Sequence, residues 1–205
     1  MYVRISTWTG ATNIDAIVDY LETKAAPAVV AMAGHRGLAV LKDEAAGTVV
    51  VAAYWATAEQ LEASTGAVSK LRETVRDIAG GGDVSVEVYE AAVTKRFAMP
   101  PAGAIARFLR VEGDPSRLDA AIAFWVDEAL PATARSAGLA SAQLLVDRAT
   151  GKGISITAWN TQADLDAAAP GLAALADRAR EASPGGRATG VEQFTLVSTT
   201  AQLDS

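Results

Sequence analysis

The chain has 205 residues, 50% of them hydrophobic and 20% charged, so it carries enough apolar material for packed cores and lacks the composition of a disordered segment. A formal net charge of −6 with no Lys/Arg cluster excludes phosphate-dominated binding to nucleic acid and argues against an anionic membrane surface. Cysteine is absent, which removes disulfides, thiolate metal sites and a cysteine nucleophile. No apolar run approaches the roughly 20 residues of a membrane span. The opening MYVRISTW lacks the basic start and apolar stretch of a signal peptide, and the expected location is the cytoplasm.

Tyr2 to Trp8 is short and β-rich and predicts a first strand. Asn13 to Ala33 then sets Ile14, Ile17, Val18 and Leu21 at helical spacing, with Thr12 and Asp15 as the hydroxyl and carboxylate of a helix-start pattern. Pro27, late in that helix, should bend it or end its first segment. Leu38 to Lys42 and Thr48 to Tyr54, around DEAAG, predict a hairpin. Thr57 with Gln60 is a capping box for a second helix, AGGGD ends it, and Val84 to Val93 is a last strand. TKRFAMPPAG, with its Pro-Pro pair, reads as a linker. The same order then returns: Ser116 with Asp119 at a helix start, Pro131 late in that helix, DRATG as the hairpin turn, Thr161 with Asp164 as a shorter-acid cap, SPGGRATG as a breaker, and Val191 to Ser198 as a strand.

Setting Trp55 over Trp159 gives a shift of 104 (159 − 55) that also aligns Asp15 with Asp119, Pro27 with Pro131, Gly34 with Gly138, Leu41 with Leu145, Asp43 with Asp147, Gly47 with Gly151 and Leu61 with Leu165. Near the ends of the halves, VSVEVYEAA matches TGVEQFTLV at a shift of 105. Each half has the order β-α-β-β-α-β, the ferredoxin-like arrangement. The chain therefore divides into a first unit at residues 1–94, a linker at 95–103 and a second unit at 104–205, an α+β fold made by tandem duplication.

This order, the tryptophan that ends the third strand, and the capped T-x-x-[QD]-L helix after it resemble the dimeric α+β barrel superfamily, in particular its antibiotic biosynthesis monooxygenase-like members. The resemblance spans nearly the whole chain, once per half, through short and tolerant motifs. It implies that the two antiparallel sheets pack as an intramolecular α+β barrel, because a sheet covered by helices on one face needs a partner for its other apolar face. It also implies a pocket within each unit, between sheet and helices. Superfamily members include cofactor-independent oxygenases, haem-degrading enzymes and proteins without established activity. Three functions follow: a cofactor-independent monooxygenase acting on an aromatic or polyketide-like substrate, a non-catalytic ligand-binding or interaction protein, and a haem-binding protein using His35.

His35, the only histidine, lies in AGHRG and is a candidate base or haem ligand; the alternative is an exposed loop residue, and the second half has Leu139 there. Trp8, Trp55, Trp125 and Trp159 are candidate walls for a flat ligand, or buried indoles of the core. Trp55 and Trp159, shared by both halves, read as structural. Arg4, Arg107, Arg110, Asn13 and Asn160 could polarise a substrate oxygen. Arg4 shares a strand face with Ser6 and Trp8, and Arg107 and Arg110 face opposite ways. Asn13 is most simply a local cap, and Asn160 precedes a capping threonine. No phosphate loop, H-E-x-x-H, G-x-S-x-G or carboxylate–histidine cluster is present, so no metal or resident cofactor is expected. The expected partner is a small apolar or aromatic molecule, with self-association open. A site belongs where the copies differ: His35 against Leu139, Leu21 against Trp125, Ala56 against Asn160.

Overall fold

The computed structural model of the chain describes residues 1–182 and 185–204. Ser183 and Pro184, which begin the SPGGRATG run, lie outside the described residues. The described chain groups into two units, one of Met1–Tyr89 with Phe194–Gln202, the other of Glu90–Gln193 with the last residues.

Unit 1 runs β1 (Tyr2–Thr9), α1 (Ile14–Tyr20), a π-helical turn (Leu21–Ala25), α2 (Ala26–Val30), β2 (His35–Asp43), β3 (Thr48–Trp55), α3 (Ala58–Ala63), α4 (Thr65–Ile78) and the start of β4 (Asp83–Arg96). Unit 2 repeats this as β5 (Ile105–Glu112), a 3-10 turn (Pro115–Arg117), α5 (Leu118–Phe124), a π-helical turn (Trp125–Ala129), α6 (Leu130–Thr133), β6 (Leu139–Val146), β7 (Lys152–Trp159), α7 (Gln162–Ala182) and the start of β8 (Arg187–Thr199). The strands hydrogen-bond in the order β1-β3-β2-β8-β5-β7-β6-β4 and close an eight-stranded antiparallel barrel. The fold is α+β, with ferredoxin-like units in tandem.

The prolines act as their chemistry requires. Pro27 and Pro131 each sit in the first turn of the helix that follows a π-helical turn. A proline has no N–H to give and its ring crowds the carbonyl four residues back, so the chain widens by one residue just before it. Ala26 N donates to Leu21 O in one unit, and Leu130 N to Trp125 O in the other.

Helix starts differ from the expected Thr12–Asp15 and Ser116–Asp119 pairs. Asn13 is the cap of α1 and accepts from Ala16 N, whereas Thr12 turns its hydroxyl to Ala79 O. In unit 2, Asp114 accepts from both the backbone N and the hydroxyl of Ser116, each at 2.8 Å. The Thr57 and Thr161 caps form as expected, accepting from Gln60 N and Asp164 N.

β3, TVVVAAYW, is buried on both faces, which explains its nearly continuous apolar run. Between sheet and helices, unit 1 holds one apolar cluster that includes Trp8, Ile17, Leu21, Leu38, Trp55, Val68 and Val75. The corresponding buried cluster of unit 2 is Leu139, Trp159, Leu165 and Ala168. The rest of that space in unit 2 is a cavity.

Candidate functional site in unit 2

Strand register sets which side chains correspond. Tyr2 pairs with Trp55 and Ile105 with Trp159, while Trp8 pairs with Val49 and Val111 with Gly153. First strands therefore correspond at a shift of 103 (107 − 4), with one extra residue in the loop before the second unit's helices. Arg4 matches Arg107, Ser6 matches Leu109, and Trp8 matches Val111.

The consequence is a difference in filling. In unit 1 the space between sheet and helices is a residual cavity of about 40 Å³, bordered by Arg4, Trp8, Leu21, Leu38 and Arg72. Trp8 occupies it, its indole N–H reaching Arg72 O at 3.5 Å. In unit 2 the same place is a cavity of about 250 Å³. Val111 stands for Trp8, Ala176 for Arg72, Ala142 for Leu38 and Ala179 for Val75, each removing bulk. Trp125, in place of Leu21, forms one wall, and its Nε1 donates to Ser155 Oγ at 3.3 Å.

The cavity wall is mostly apolar, with a few convergent polar groups. Arg107, Leu109 and Val111 come from alternate positions of β5, Ser155 and Thr157 from β7. Arg107 is the cross-strand partner of Thr157, and Leu109 that of Ser155. Thr157 Oγ1 accepts from Trp159 Nε1 at 2.9 Å. Around the mouth, Glu112 pairs with Arg187 at 2.8 Å and Arg180 with Asp177 at 2.6 Å. Gly151 closes one side; at φ +72° a Cβ there would lie 2.1 Å from Gly113 O, so the two loops can meet only through glycine.

Arg4 and Arg107 have parted ways chemically. Arg4 is almost fully buried and donates to Ser64 Oγ at 2.8 Å, Leu61 O at 2.8 Å and Thr65 Oγ1 at 2.7 Å, with its guanidinium 5.0 Å from the Trp55 ring centre. In unit 2 the residues matching Ser64 and Thr65 are Ala168 and Ala169. Arg107 has no hydrogen bond or ion pair among the described residues. Burial alone lowers its pKa, with no charged neighbour contributing.

The other candidates are placed as follows. Arg110 faces away from the cavity and pairs with Glu192 at 2.6 Å. Trp55 is fully buried with its Nε1 unpartnered. Asn13 and Asn160 are exposed, and neither lines either of these two cavities. His35 borders neither cavity. It stands edge-on to Trp55 at 5.7 Å, Nδ1 accepts from Gly37 N, and Nε2 is buried without a partner. A haem does not fit this surrounding: His35 lines neither of the two cavities described, its Nε2 is buried, and the cavity between sheet and helices in its unit is about 40 Å³. Among the described residues no group of three or more His, Asp and Glu is placed to hold a metal, and no helix is long and apolar enough to cross a membrane.

No protein-family model matches the chain. It is 28% identical over 162 residues to an uncharacterised protein of Mycobacterium tuberculosis, covering 78% of this chain and 72% of that one. Among solved structures it is similar to a "putative monooxygenase" of Fusobacterium nucleatum, with TM-score 0.74, 10% identity and coverage of 100% and 95% of the two chains. A "putative monooxygenase" of Lactobacillus acidophilus gives TM-score 0.71, 13% identity and coverage of 100% and 99%. An anthrone oxidase-like protein gives TM-score 0.63, 14% identity and coverage of 98% and 93%. The class is thereby defined at the level of fold: the chain is an α+β barrel of two ferredoxin-like units in one polypeptide, similar in fold to these proteins.

Proposed function

We propose that this protein binds a small apolar or aromatic molecule in the cavity of unit 2, and that unit 1 keeps the same fold without a binding place. The carrying observation is the contrast between about 250 Å³ in one unit and about 40 Å³ at the matching place in the other. An apolar cavity of roughly 150 Å³ suffices for benzene, so the larger one suits a ligand of one or two rings, with Trp125 as a flat wall.

The experiment imports the unit 1 solution into unit 2. Val111→Trp places an indole where Trp8 lies in the first half. Calorimetric titration with 2-naphthylmethanol, a neutral two-ring probe, should show binding to the natural protein and none to Val111→Trp, with both unfolding at similar temperature. Equal affinity in the two would remove the cavity from consideration.

A second reading is oxidation of that ligand without a metal or resident cofactor, in which polar groups stabilise a substrate carbanion that itself reduces oxygen. Arg107 supports it as a group able to hold an oxygen-derived anion, and the monooxygenase names of similar structures agree with it. The carboxylates at the cavity weigh against it as bases. Glu112 is tied to Arg187, and Asp114 is held below the usual carboxylate range by the Ser116 hydroxyl and backbone N–H. Binding without turnover is the better-supported reading, and oxygen uptake on adding an aromatic ligand that binds would reverse that order.

A further inference from the structure

We propose that the ligand of the unit 2 cavity carries an ionised acidic oxygen group, a carboxylate or a phenolate or enolate, received by Arg107 together with the hydroxyls of Ser155 and Thr157. This rests on the cavity being the binding place. The two matching arginines have met different fates. Arg4 is satisfied by three acceptors of its own unit. Arg107 keeps the charge and the strand position, but two of those acceptors have become Ala168 and Ala169, so the guanidinium borders an apolar cavity with none of its donors used by the described residues. A partly buried cation without a counter-charge is costly, and an anionic ligand supplies what is missing.

Ser155 Oγ and Thr157 Oγ1 each accept an indole N–H, from Trp125 and Trp159. A hydroxyl has one proton, and neither donates it to another described residue. Each hydroxyl thus has one acceptor site taken by an indole and its own proton free to donate. Because Arg107 lies directly across from Thr157 on the neighbouring strand, the guanidinium and the two O–H groups share one sheet face. The matching pair in unit 1 is Val51 and Ala53, and Trp55 Nε1 is accordingly unpartnered. The donor set and the open cavity occur together, in one unit only. Depression of the Arg107 pKa by burial without any charged neighbour agrees with this.

The test compares shape-matched ligands that differ in charge. Natural protein should bind 2-naphthoate at least about tenfold more tightly than 2-naphthamide. Arg107→Met should lose the preference, its naphthoate affinity falling to about that for the amide. Ala168→Ser with Ala169→Thr returns two of Arg4's acceptors, keeps the charge, and should also reduce the preference by drawing the guanidinium away. A nitrophenol titrated across its own ionisation distinguishes phenolate from carboxylate recognition. Amide binding with no preference for naphthoate, or a preference that survives Arg107→Met, overturns this inference and leaves the cavity reading intact; no binding of either probe overturns both. Unfolding temperature of each variant checks that it is folded.

Discussion

His35 and Leu139 stand at matching positions against matching tryptophans, yet only one of them titrates. Burial lowers the His35 pKa below its ordinary value, because the charged imidazolium loses water and gains no counter-charge. In the unfolded chain the same group takes up its proton near pH 6.5. The neutral ring therefore contributes stability that is full above the unfolded pKa and is lost as pH falls through the lower folded value. Replacing it by the residue the second half already uses removes that contribution. In urea titrations at pH 7, 6 and 5, natural protein should lose stability relative to His35→Leu as the pH falls; parallel profiles would show that the ring is not destabilised by protonation. Residue-scale reading of the sequence reached Arg107 and Trp125 as candidates from their chemistry. It could not see that Arg107 is the counterpart of Arg4, since one added residue in the loop after β5 shifts the strand by a position and sets Phe108 opposite Arg4 in an ungapped alignment.

Among the elements, the second helix of each unit diverges for a reason that lies in those arginines. In unit 1 it breaks at Ser64 into α3 and α4, and Arg4 donates to Leu61 O, Ser64 Oγ and Thr65 Oγ1 across the break. In unit 2, with alanines at both hydroxyl positions, α7 runs unbroken from Gln162 to Ala182 despite Pro170. Arg4→Met leaves those acceptors without their charged donor and should cost about 2–4 kcal/mol in denaturant unfolding, against about 0.5 kcal/mol or less for Arg107→Met. Equal costs would mean that Arg107 has protein partners of its own. The duplicated order of elements, the hairpins and the Thr57 and Thr161 caps were legible because they rest on local chemistry. The π-helical turns were legible only as a disturbance near Pro27 and Pro131. Proline demands some relief, but whether a helix kinks, stops or widens depends on packing that the sequence does not display.

For the molecule as a whole, the last strand matters beyond its own half. Phe194–Gln202 belongs to unit 1, where β2 pairs with β8 from Ala39 opposite Thr199 to Lys42 opposite Thr195. Thr200 N donates to Leu38 O at 2.7 Å and Gln202 N to Arg36 O at 2.8 Å. Gly37 makes that approach feasible, since a Cβ on it would lie 2.0 Å from Thr200 O. A chain ending at Gln193 should therefore expose the β2 edge, unfold at lower temperature and associate as its concentration rises. Light scattering and a melting curve check this, and a monomer of unchanged stability would contradict it. Paired charges around the unit 2 mouth carry a different consequence, one of rate. Glu112 with Arg187, Asp177 with Arg180 and Asp114 beside Arg117 offset one another, on a chain whose net charge is −6, so an incoming anion meets little attracting field until it reaches Arg107. Capture should proceed at an ordinary, salt-insensitive speed, and selectivity should lie in how slowly the bound molecule leaves.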